Sequence, residues 1–292
     1  MKILYMLVQR NVKLYLRDKA AVFFSFLSVV IILALYILFL GRMQSNSLEN
    51  IMGHIDGFDW LVSTWIMAGI LTVSTVTVPL GAVGNLIDDR ADEILNDFYV
   101  SPINRNTLAL SYLISAWVIG FIMVMFNMTI GFIYVILQGG ELLPFVSMLK
   151  LVGVVVLCIM SFSSFFFFIS LFMRTRNAYG TLATLVGTFI GFLGGIYIPI
   201  GVLGENVQKV MNALPTAHAV TLVRTIYMEG SVDKVFGNAP QSAYDEYASM
   251  FGLNIIYGDF ELTQFHMLMS IICFMIFFYT LSVIVLKYKK LS

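Results

Sequence analysis

Six apolar stretches, each close to the thickness of a bilayer, constrain this chain more than any other feature. They run over about 22–40, 61–83, 108–137, 146–172, 178–198 and 264–286. A helix needs roughly 20 mainly apolar residues to cross the hydrocarbon core. Only helices and closed barrels satisfy their own backbone there. Composition agrees: the chain is 59% hydrophobic and 12% charged, against about 25% charged in a soluble domain. The expected fold is an all-α polytopic membrane protein with six transmembrane helices, forming a single transmembrane domain over 1–292. Formal net charge is zero, so no overall field points to nucleic acid.

Lys and Arg set the expected orientation. Lys2, Arg10, Lys13, Arg17, Lys19, Arg90, Arg105, Arg174, Arg176, Lys287, Lys289 and Lys290 fall on one side. Arg42, Lys150, Lys209, Arg224 and Lys234 are spread over the other. The first side is expected to be cytoplasmic, with both termini there and the protein in the cell membrane. Residues 1–21 carry no apolar core of a cleavable signal peptide. Instead, residues 3–19 read as an amphipathic helix with Lys2, Gln9, Arg10, Lys13 and Arg17 on one arc, suited to the membrane interface. Cys158 and Cys273 both sit in apolar runs and predict no disulfide.

Catalytic and coupling signatures are missing. No charge lies within the spans apart from ends such as Lys150 and His266. Proton- and ion-driven carriers usually need such groups, so this class is disfavoured. The chain has no Gly-x4-Gly-Lys-Ser/Thr loop for phosphate and no His-Glu-x2-His. His54, His218 and His266 have no ligand spacing. The expectation is no enzyme activity, no cofactor and no metal in this chain.

The polar island Asp88–Arg105 interrupts two apolar spans. Ile87, Ala91, Ile94 and Phe98 recur at i, i+4, i+7, i+11, one face of a helix. Asp88, Asp89, Asp92 and Asn96 gather opposite, and Pro102 stops the helix near Ser101. Such a helix either packs on the ends of its own spans or docks in a partner's groove; spacing alone leaves both open. Between the last two spans, residues 199–263 form an outer segment. There, Ile200–Leu214 and Ala217–Met228 read as short re-entrant or surface helices, and 229–261 as a polar external loop.

The island resembles the loop after the second span of ABC-2 type transporter permeases. Asp89-Arg90-x-x-Glu93 leads into Ile94-Leu95, then Val100-Ser101-Pro102-Ile103-x-Arg105. The commonest family form has Gly-Thr where this chain has Asp92-Glu93. The basic segment ending Arg17-Asp18-Lys19, the turn Arg174-Thr175-Arg176, and Ile198-Pro199-Ile200 followed by Leu214-Pro215-Thr216-x-His218 and Arg224 also resemble the family. Leu214 stands where Asn is frequent in the family.

The resemblance implies the membrane-spanning permease of an ATP-driven exporter. Two ATP-binding cassette ATPase subunits would supply hydrolysis and bind the ATP. A second permease copy would complete a homodimer in contact with membrane lipids. The loop 85–106 would hold a cytoplasmic coupling helix, with Leu95 and Phe98 as anchors, Asp97 and Tyr99 positioning it, and Asp92, Glu93, Ser101 and Pro102 completing the ATPase-coupling set. Gly187, Gly191 and Gly195, four apart, would allow close helix packing or dimer contact. Cargo would be a hydrophobic or amphipathic compound: a drug, an antimicrobial or a lipid-like molecule. Polysaccharide or teichoic acid export and a non-transporting scaffold or sensor are the alternatives. Phe165–Phe168 is expected to face lipid or fill the core.

Overall fold

The computed structural model describes residues 2–35, 57–257 and 260–288. Two helices, α1 (Lys2–Arg17) and α2 (Lys19–Leu35), precede the long α3 (Phe58–Ala91). A short α4 (Ile94–Val100) follows, then α5 (Arg105–Leu137), α6 (Phe145–Ser170) and α7 (Arg176–Leu193). The outer segment comprises a 3₁₀ turn (Ile200–Val202), α8 (Glu205–Asn212), α9 (Pro215–Tyr227), α10 (Glu229–Phe236) and α11 (Gln241–Phe251). A two-stranded antiparallel ribbon, Ile256–Tyr257 with Phe260–Glu261, leads into α12 (Gln264–Tyr288).

Four of these helices, α3, α5, α6 and α12, are long and apolar enough to cross a membrane. The expected six include α2 and α7. Residues 36–40 of the first expected span lie outside the described residues. α7 opens on the polar Arg176-Asn177 and stops at Leu193, short of the expected 198. Its last turn closes through Gly194 and Gly195, the latter at φ +60°, a conformation in which a side chain is strained.

α3 is the centre of the molecule. It packs against α2, α5, α6, α7 and α9, and almost every side chain from Leu61 to Ile87 is buried. The close approach of α5 to α6 beside it has a local cause: a Cβ on Gly120 of α5 would lie 2.6 Å from Ile159 of α6. Hydroxyls inside the bundle fold back onto their own helices, as Thr72 does to Ala68 and Ser163 to Ile159. This satisfies polar atoms that lipid cannot hydrate. Phe166 and Phe167 are buried, while Phe165 and Phe168 stack against Phe278 of α12 at 4.9 and 5.4 Å. The aromatic run therefore fills the α6–α12 seam.

The outer segment departs from expectation. Where 229–261 reads as a loop, α10 and α11 form and bury Val235, Phe236, Tyr247 and Phe251. These apolar residues are sparse in sequence but align at helical spacing, so tertiary burial overrides the Gly and Pro breaks. The short α9 is buried nearly all round, against α3, α6 and α12. One side chain ties this cap together. Arg224, 1% exposed, donates to the Phe251 carbonyl at 2.9 Å and the Gly195 carbonyl at 2.8 Å. Its guanidinium lies 4.3 Å from the Trp65 ring centroid. It thus binds the C-terminal ends of α7 and α11, where helix dipoles favour a cation.

Candidate functional site

The polar island folds differently from one continuous amphipathic helix. α3 runs through Asp88 and Asp89 to Ala91, and Glu93 then takes φ +62°. A left-handed residue other than Gly costs roughly 1–2 kcal/mol, and it resets the helix axis. The stripe Ile87–Ala91–Ile94–Phe98 is therefore cut: Ile87 is buried, whereas Ala91 is exposed. α4 restarts at Ile94, and Ser101 closes it by donating to the Phe98 carbonyl at 2.7 Å. Asn104 caps α5 by accepting from the Asn106 amide at 2.9 Å.

α4 has two faces. Leu95 is 1% exposed, set into the bundle, with Ile94, Phe98 and Tyr99 half-buried beside it. Leu95, an expected anchor of the coupling helix, here anchors α4 to its own chain. Phe98 shares that inner face and lies 5.4 Å under the Arg10 guanidinium. Tyr99 is covered by Arg105 at 5.7 Å. The outward surface is made instead by Asp92, Glu93, Asn96, Asp97, Val100 and Pro102, with Val100 89% exposed. Asn96 is on the polar face expected from the spacing, whereas Val100, apolar and outside the expected coupling set, is exposed by the register that follows the break at Glu93.

Three arginines fasten this end of α3. Arg10 of α1 makes a two-pronged ion pair with Asp89, at 2.6 and 2.7 Å. Tyr112 of α5 donates to the same carboxylate at 2.5 Å. Asp89 is 5% exposed at its side chain and Arg10 29%. Hydrogen bonding to Asp89 holds the Arg10 guanidinium above its usual range, against a smaller opposing effect of burial. Asn11 completes the joint: its carbonyl accepts from Asn85 at 3.0 Å. Arg90 donates to the carbonyls of Ser170, at 3.0 Å, and Met173, at the C-terminal end of α6. Arg176 at the start of α7 pairs with Asp88 at 2.7 Å and Asp92 at 2.5 Å. Those pairs are half-exposed and contribute little stability, so Asp92 serves its own chain first.

The arrangement is mechanical rather than chemical. α4 joins the central helix through one strained turn, and Arg10 of α1 and Arg105 of α5 lie against its Phe98 and Tyr99. Among the described residues no group of acids, histidines or cysteines could hold a metal ion.

The three glycines of α7 do not form one contact stripe. Gly187 faces open space, Gly191 lies against the ring of Tyr197 in its own chain, and Gly195 sits beyond the helix in the left-handed turn. Within one copy of the chain the three therefore share no packing neighbour, and Gly195 lies past the end of α7.

Comparison with curated proteins returns no match. A family model described as ABC-2 type transporter matches residues 3–228, which takes in α1, the braced α4 and the outer segment through α9. The chain belongs to the ABC-2 type transporter family.

Proposed function

We propose that this chain is the permease subunit of an ATP-driven exporter, carrying a hydrophobic or amphipathic compound out of the cytoplasm. The observation that carries this reading is α4: a short helix held by Leu95 at the end of the central span, with Asn96, Asp97 and Val100 left facing outward. In this reading a separate ATPase subunit, two copies per assembly, seats that face and closes on ATP. The shift passes through Glu93 into α3, which touches most of the bundle. Transport needs only that the ATPase contact α4 differently in its two states.

The same reading has six spans, with α2 and α7 as first and fifth, and both termini on the cytoplasmic side. The C-terminal end of α12 supports this: Leu286 lines the same small cavity as Asn106, at the start of α5 beside the island. A second permease copy is proposed to meet α7, whose outer face presents Gly180, Thr184, Gly187 and Thr188. Small residues let helices approach closely in lipid.

Gentle affinity isolation from native membranes, with mass identification and an ATPase assay, tests the proposal. A stoichiometric soluble subunit bearing a phosphate-binding loop supports it. An intact complex without such a subunit refutes it.

A further inference from the structure

A second feature lies away from α4. A cavity of about 540 Å³ is bounded by α3, α6, α7, α12 and the start of α9. Its walls are Val76, Phe162, Phe166, Leu185, Phe189, Phe274 and similar apolar side chains; Thr216 is the one polar residue among them. Water needs two or more polar partners to settle in a cavity, and these walls hold at most the Thr216 hydroxyl, which is itself covered. The lining runs along α7 from Leu185 to Leu193. Eight residues of helix rise about 12 Å, most of the roughly 15 Å of hydrocarbon in one leaflet. Leu185 and Phe189 are 51% and 54% exposed, so the mouth opens sideways, on a different face of α7 from Gly180, Thr184 and Thr188. The Thr216 Oγ1, in the first turn of α9 at one end of the cavity, is buried with no hydrogen-bond partner.

We infer that this cavity holds the acyl chain of a bilayer lipid. The walls, length and sideways mouth all match a hydrocarbon chain lying parallel to the helices. In lipid, an apolar void of this size is filled by hydrocarbon, because no other solvent is present at that depth. The site is intrinsic to one copy of the chain and does not depend on α4 docking an ATPase.

The test uses the full chain in phosphatidylcholine nanodiscs carrying a phospholipid with a diazirine in its tail. After irradiation, peptides are mapped by mass spectrometry. Label should concentrate on the segments containing Phe162–Phe166 and Leu185–Leu193, above that on the exposed α5 residues Phe121, Phe126 and Ile133. Leu185→Trp, which narrows the mouth, should lower cavity labelling about tenfold and leave α5 labelling unchanged, which also reports that the protein is folded. Labelling spread evenly over lipid-facing helices, or cavity labelling indifferent to Leu185→Trp, overturns the inference. So does labelling by a diazirine long-chain alcohol but not by the phospholipid, which would assign the cavity to a diffusible compound.

Discussion

Replacing Arg10 with Met should destabilise the protein far more than neutralising its partner. The reason is unequal burial. Asp89 is 5% exposed and Arg10 29%. Arg10→Met strands a buried carboxylate with Tyr112 as its remaining donor. Breaking a buried pair in this way costs about 3–5 kcal/mol, and the surviving Tyr112 bond places the loss near 3 kcal/mol. Asp89→Asn instead leaves a cation that can turn toward water, while the amide oxygen still accepts from Tyr112; the loss should be about 1 kcal/mol. The double variant Arg10→Met with Asp89→Asn holds no stranded charge. It should therefore be more stable than Arg10→Met alone, a coupling of about 2 kcal/mol. Unfolding in mixed micelles, followed by fluorescence of Trp60, Trp65 and Trp117, measures all four corners of the cycle. Equal losses in the two single variants, or an additive double variant, would refute the assignment of Asp89 as the buried end of this joint.

Further outcomes follow from α4 and α7. Leu95→Ala should cost about 3 kcal/mol in the same unfolding assay, because the side chain is core; a neutral result would mean α4 does not dock on its own bundle. Val100→Asp should leave stability within about 0.5 kcal/mol and abolish stimulation of ATP hydrolysis in the reconstituted complex. Normal stimulation would remove Val100 from the proposed docking face. Gly191→Ala places a Cβ 2.3 Å from the Tyr197 ring and should lower stability by about 1–3 kcal/mol, with recovery when Tyr197→Ala is added. Lack of recovery would place the constraint elsewhere.

Much of the bundle was legible because lipid imposes one rule on every span: long apolar runs become helices. α3, α5, α6 and α12 follow directly from their runs, and the amphipathic α1 from its basic arc. The joint at the island was not legible. Asp88, Asp89 and Asp92 look alike in sequence, yet one is buried on Arg10 and Tyr112 and two are half-exposed on Arg176. Only tertiary packing separates them. A clue did exist in α1, where Asn11 sits between Leu7 and Tyr15 at i, i+4, i+8; all three are buried. A polar residue in the middle of a buried stripe marks a buried polar partner. Ile94 and Phe98 keep the inner face that their spacing predicts, but Ala91 leaves it because the backbone turns left-handed at Glu93. Residues 229–261 read as a loop because Gly237 and Pro240 punctuate them, although these residues end one helix and begin the next.

The proposed coupling requires that the outer face of α4 meet an ATPase. The most direct measurement is photocrosslinking from that face in native membranes. A benzophenone maleimide on Val100→Cys, in a Cys273→Ser background with Cys158 fully buried, reports what lies against position 100. One major adduct is expected, to a soluble subunit with a phosphate-binding loop, with a yield that changes with ATP. Adducts confined to lipid or to this chain itself, in a complex that still contains the ATPase, would contradict it.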